Sequence, residues 1–202
     1  MAVSILVCRF SVVALLVFGG CGEQEAASRI QRNDEEVTEW RAHADPNRAY
    51  SSRFPASWQL AGERLSRISE PRELLSVGTT TLRWQPTNCE AFAGAAGLSM
   101  RPRDVVVTVW ERGYDRGSDW VDFPPRPQRF GPVADAEPAG RGCGEPSGTM
   151  VHWRNFSDSG RHLHTLVRIG PDAPASTAAQ AWRILDSLRL DPDYRPSLPA
   201  SG

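Results

Sequence analysis

The chain has 202 residues and 40% apolar content, which fits one globular domain with flexible ends and supplies enough apolar surface for a core. Its 23 basic residues, all arginine, face 24 acidic ones and leave a net charge of −1. No basic excess is available to neutralise phosphates, so nucleic acid is excluded as a probable class of partner on charge alone.

Chain order begins with an apolar run, Phe10 to Phe18, that leads into Gly19-Gly20-Cys21. Apolar, small, small, cysteine is the pattern of a bacterial lipobox. It predicts a lipoprotein signal peptide over 1–20 and makes Cys21 the first mature residue, carrying diacylglycerol on its sulfur and an acyl chain on its amine. The run is too short for a confident spanning helix, which needs about 20 residues. Arg9 is the only early charge, and Phe18 stands where leucine is commoner. Plain secretion and an uncleaved anchor are the alternatives. Several acyl chains together anchor firmly where one does not, so the expected location is the outer face of the cytoplasmic membrane.

Residues 21–48 are polar and charged and read as a tether. Ile30, Val37 and Trp40 offer one weak helical stripe, broken by Asp45-Pro46-Asn47. The globular domain is expected over 49–190. Tyr50 to Trp58 predicts a strand running into a turn. Leu74 to Leu82, rich in β-formers, predicts a strand kinked at Gly78. Cys89 to Leu98 is alanine-rich and compatible with a short helix. Val105 to Trp110 is almost continuously apolar, as in a strand buried on both faces. Residues 113–148 carry six prolines and form a long loop. Thr149–Phe156 and Arg161–Ile169 predict a hairpin turning at Ser157–Gly160. Ala175–Leu188 predicts an amphipathic helix, capped by Ser176, with Ala178, Ala181, Trp182, Leu185 and Leu188 on its apolar face. Residues 191–202 read as a disordered tail.

Cys89 and Cys143 are the cysteines that remain after Cys21. A pair in an exported chain predicts a structural disulfide. A redox role normally shows Cys-x-x-Cys spacing, which is absent here.

Four short motifs now stand in order: Phe54-Pro55-x-x-Trp58, Phe123-Pro124-Pro125-Arg126-Pro127, Gly160-Arg161, and the closing Ile184-Leu185-Asp186-Ser187-Leu188. Together they resemble uncharacterised exported lipoproteins of actinobacteria, and the opening motif with the closing helix is similar to the PsbP-like fold. The resemblance spans roughly residues 49–190 in order of elements. It implies an α+β class: an antiparallel sheet flanked by helices, an α/β/α sandwich. It brings no catalytic residues and no cofactor, and a photosynthetic role is not implied.

No catalytic signature appears. Gly-x-Ser-x-Gly and phosphate loops are absent. His162-x-His164 places two imidazoles on one face of a strand, a start toward a metal site, with His152, Asp158 or His43 as further ligands to consider. Pairing Phe156 with Arg161 puts His152 on the opposite face. Asp104 and Glu111, which flank the Val105–Trp110 strand, read with Asp115, Asp119 and Asp122 as solvated carboxylates. Pro124–Pro127 suits either a PPII ligand or a brace in which Arg126 pairs with a carboxylate. Of seven tryptophans, Trp58, Trp110, Trp153 and Trp182 fall on predicted elements and read as core. Trp120 stands beside Phe123 and Phe130 in the proline-rich loop, where aromatics either pin a loop or line a docking surface.

The sequence therefore predicts a non-enzymatic binding module at the membrane surface. It engages an envelope protein or a small apolar ligand through Trp120, Phe123, Arg126 and Phe130. The alternatives are a metal-binding protein or enzyme using His162 and His164, and a structural spacer of the envelope.

Overall fold

A computed structural model describes residues 39–66, 71–84, 100–112, 123–139 and 144–194. The readings placed on Cys21, Cys89, Cys143, Trp120 and the alanine-rich stretch near residue 90 lie outside these residues. The described chain is a mixed α+β structure dominated by antiparallel sheet. Nine strands run in chain order: β1 (Trp40–Asp45), β2 (Tyr50–Pro55), β3 (Gln59–Leu60), β4 (Arg72–Gly78), β5 (Val105–Arg112), β6 (Glu137–Pro138), β7 (Met150–Asp158), β8 (Arg161–Ile169) and β9 (Arg189–Leu190). A single described helix, α1 (Ala175–Ser187), lies between β8 and β9. The larger sheet has the order β3-β4-β5-β8-β7-β6, and the smaller one β1-β2-β9.

The β7–β8 hairpin forms as its sequence predicts, with a tighter turn. Only Ser159 and Gly160 lie outside the ladder, both with positive φ (52° and 70°). Two left-handed residues give the turn twist that matches paired strands. The register joins Phe156 to Leu163 and His152 to Val167. It differs by two residues from the predicted pairing, and a slip of two preserves every face. His152 therefore stands opposite His162 and His164.

Strand β5 is buried from Val105 through Glu111. Val105, Val107 and Val109 meet Phe54, Trp58, Phe156, Leu163 and Val167 under α1. Val106 packs on the other face with Leu65, Leu82 and Met100. Helix α1 buries Ala181, Ile184 and Leu185, the i, i+3, i+4 stripe of an amphipathic helix. Ile184 and Leu185 each contribute about 1.5–3 kcal/mol on burial, and the smaller Ala181 less. Ser176 is not the N-cap. Pro174 holds that position without a side-chain cap bond, because the preset φ of proline suits a helix entry.

Two ends of the domain extend past the predicted limits. Trp40–Asp45 forms β1, paired along its whole length with β2, so a strand lies inside the stretch read as tether. Trp40 belongs to this strand and to no helical stripe. At the other end, β9 pairs with β2, and Tyr194 accepts hydrogen bonds from Arg72 at 3.2 Å. Tyr194 thus packs on the domain four residues beyond Leu190.

Candidate functional site

The even-numbered residues of β8 and their cross-strand partners form a cluster on the sheet face opposite α1. The pairings Trp110–His164–Asn155 and Arg112–His162–Ser157 run across β5, β8 and β7. The buried Trp110 ring stacks on Trp153, with centroids 6.0 Å apart and planes 27° from parallel. Trp153 also lies 5.4 Å from the His164 ring. Phe123 arrives from the proline-rich loop, stacks on His162 at 4.8 Å, and meets His164 edge-on at 5.1 Å. The two histidines and Phe123, separate candidates in the sequence, therefore occupy one site.

The cluster is held by hydrogen bonds whose polarity can be read. Trp153 Nε1 can only donate, and it reaches Asn155 Oδ1 at 2.9 Å. The same oxygen is 2.6 Å from His164 Nδ1. His164 therefore carries its proton on Nδ1. Burial, then the charges of Arg112 and His162, push its pKa down to about 4, so the ring is neutral at pH 7. Among the described residues no group of three His, Cys, Asp or Glu side chains is placed to hold a metal ion. His162 and His164 share a face but gather no third ligand there among the described residues.

Trp153 departs from its reading as core. It is the one large apolar side chain exposed among the described residues, at 37%. The signal was present in the alternation of β7: with the hairpin in register, Trp153 falls on the His162 face. Its ring is fixed on one side by Trp110 and at its N–H by Asn155. The result is a pre-oriented aromatic surface, which loses little freedom on binding.

The other two candidate surface residues serve the frame. Arg126 donates to Asp158 Oδ2 at 2.8 Å and to the carbonyls of Leu185, Asp186 and Leu188 at 2.8, 3.2 and 2.7 Å. It thus caps the C-terminus of α1, where unsatisfied carbonyls attract a cation. Pro124 and Arg126 bond the backbone of Ser157 in β7, so this stretch acts as a brace. Phe130 is buried, edge-on to Phe156 at 5.2 Å, and its N–H donates to Asp186. The loop is nailed down at 124–130 and presents Phe123 at its margin.

Asp104 and Glu111 are not solvated. Asp104 accepts from the Arg101 backbone and guanidinium and from the Thr79 hydroxyl. Burial alone would raise its pKa; these donors outweigh burial and lower it. Glu111 is buried on the α1 side between Arg161 and Arg72, each at 2.5 Å. Arg161 is itself fully buried and also donates to the carbonyls of Ala49 and Arg48. The buried pair is a lock between strands, with every Glu111 oxygen answered.

A cleft of about 290 Å³ lies at the outer edge of β4, lined by His43, Asp45, Arg48, Tyr50, Glu73 and the 60–64 stretch. A bulge between Glu73 and Leu75 takes Leu74 out of the ladder. Its freed carbonyl accepts from Tyr50 Oη at 2.7 Å and Arg48 Nη1 at 3.1 Å. Since the phenol proton is spent there, His43 Nε2 donates to Tyr50 Oη at 3.3 Å. Burial, with the charge of Asp45, pushes Tyr50 up to about 12. Glu73, raised by burial, accepts from Leu65 N, Ser66 N and Ser76 Oγ. The polar groups of this cleft hold the fold and leave no nucleophile activated by a base.

The chain matches no protein-family model, no curated protein and no solved structure. The reading of function rests on the residues themselves.

Proposed function

We propose that this protein is a non-enzymatic binding module of the bacterial cell envelope, anchored by lipid on Cys21 and engaging an envelope protein or a small apolar ligand. One observation carries the reading: Trp153 is exposed yet fixed, with Trp110 and His164 beside it and Phe123 on the far side of His164, on a face whose polar groups are turned to positioning rings. Aromatic side chains that lose little freedom are the usual anchors of binding surfaces. The closed network of the β4 cleft favours binding over bond-breaking. The finer fold is proposed as PsbP-like, supported by the antiparallel sheet with α1 late in the chain, before β9; the Cys89–Cys143 disulfide is proposed as its staple.

The test is crosslinking in the native envelope, comparing the natural chain with the Trp153→Ala, Phe123→Ala double variant. Loss of a captured partner, with the melting temperature kept within a few degrees, is the expected result. Equal capture by both chains removes this face from the function. Mass spectrometry of the mature protein checks the anchor separately: an unmodified Cys21 thiol ends that part of the proposal.

A further inference from the structure

We propose that β1 is a self-pairing edge: two copies of this chain join β1 to β1, antiparallel about a twofold axis at His43, and merge their β1-β2-β9 sheets into one.

Backbone alternation shows which groups of β1 are open. Ala56 N donates to Glu39 O at 2.8 Å, so Glu39 turns its backbone toward β2. Arg41, His43 and Asp45 follow it, and Trp40, Ala42 and Ala44 turn their N–H and C=O groups away. The far side of β2 agrees. Ser187 Oγ bonds both the N–H and the C=O of Arg53, at 2.8 and 3.0 Å, and Asp191 N donates to Ala49 O. Tyr50, Ser52 and Phe54, the partners of Asp45, His43 and Arg41, therefore face β1. No described strand lies beyond β1, and no described group bonds the outward groups of Trp40, Ala42 or Ala44. Ala42 and Ala44 are exposed.

An open edge of this kind is a template for another strand unless it is short, bulged, or blocked by lysine or proline. The other edge strands, β3, β6 and β9, have two residues each, and β6 ends in Pro138. Strand β1 has six residues, an unbroken register, and neither lysine nor proline.

Charge selects a second β1 as the occupant and fixes its register. Open groups bond only where they meet open groups, so antiparallel self-pairing must set Trp40, Ala42 and Ala44 against one another. Centred on His43, it opposes Ala42 to Ala44 of the second copy and Ala44 to its Ala42, each pair exchanging two bonds. At the closer positions between them, Arg41 stands opposite Asp45 on both sides of the axis. Arg41 is exposed, its guanidinium steadied by Trp58 O at 2.9 Å and by the Phe54 ring. Asp45 accepts from the N–H groups of Asn47 and Arg48, lies 3.5 Å from the Arg48 guanidinium, and keeps its charge. Glu39 falls outside, opposite Asn47. The two adjacent registers are repelled. Centred on Ala42, pairing sets Glu39 against Asp45 twice; centred on Arg41, it sets guanidinium against guanidinium. The contact is isologous, as a twofold dimer requires. One strand pair buries less area than a stable dimer needs, so the association is weak and depends on concentration.

The experiment uses the full chain in detergent micelles, over a concentration series reaching the millimolar range. Light scattering reads the protein mass, and hydrogen–deuterium exchange reads the β1 amides. The expected result is a rise toward the dimer mass, with the Ala42 and Ala44 amides gaining protection as it occurs. Ala42→Pro removes an outward N–H and leaves the β2 ladder whole, so it should weaken association roughly tenfold or more at an unchanged melting temperature. Arg41→Glu, which faces Asp45 with a like charge, should weaken it too, and Arg41→Lys should retain it. If Ala42→Pro melts early, the Ala42→Lys, Ala44→Lys double variant replaces it and must also lose association, because lysine then opposes lysine. A natural chain that stays monomeric, or one whose Ala42 and Ala44 amides stay open as the mass rises, overturns the proposal. Undiminished association in Ala42→Pro overturns it as well. Protection of these amides only on mixing with envelope extract overturns it in favour of a foreign strand.

Discussion

The two faces of the β5–β8–β7 ladder differ in how they use polar residues. On the α1 side, Val107, Val109, Leu163 and Val167 build a sealed core, and Glu111 with Arg161 and Arg72 closes one end of it. On the opposite face, Trp110, Trp153, His162, His164 and Asn155 orient one another, and two rings of the set, Trp153 and His162, reach solvent. The first face shows what stability asks of this sequence. The second holds a histidine and an indole in fixed poses at the surface, where a stable fold requires neither.

The largest expected effect breaks the first face. Glu111→Ala leaves Arg161 buried and uncompensated, so it should cost about 3–5 kcal/mol and give a large fall in melting temperature. A change under about 1 kcal/mol would show that Arg161 reaches water, contrary to its burial. A smaller effect comes from acid acting on the second face. The unfolded chain protonates His164 near its ordinary pKa, whereas the folded chain resists to about 4. Stability is therefore full above about pH 6.5 and is lost as pH falls toward 4, by about 3 kcal/mol at most. His152, lowered by burial, acts in the same direction from the α1 side. Melting between pH 7 and 4 should show the loss, and His164→Gln should flatten it; an undiminished loss in that variant assigns the titration to His152. The smallest effect on stability is expected for Trp153→Ala, within about 1 kcal/mol because the side chain is partly exposed. A cost like that of a buried tryptophan, about 3–5 kcal/mol, would make it a frame residue and sharpen the contrast out of existence.

The sequence displays the elements whose signals are local. The hairpin follows from alternation with a Ser-Gly turn, α1 from its three-and-four spacing, and β5 from an unbroken apolar run. Pairings between distant segments leave no such trace. Trp40–Asp45 does not alternate cleanly, and its strand character comes from β2. Glu111 looks like a solvated carboxylate until Arg161, fifty residues away, is brought to it by β8. Phe123 was legible as a candidate because an aromatic in a proline-rich loop asks for a reason. Its meeting with His162 and His164 was not legible, because it depends on how Pro124 and Arg126 pin the loop to Ser157. Trp153 was misread for a statistical reason: most tryptophans on strands are interior, and only the register of β7 shows which side this one takes.

Strands β1 and β9, the first and last of the described strands, flank β2 and run parallel to each other. Tension applied between Trp40 and Leu190 would pull these flanking strands lengthwise in opposite senses. The hydrogen bonds to β2 then strain together instead of parting one by one, as they would in a peeled hairpin. A sheet sheared in this way resists being drawn open from its two ends.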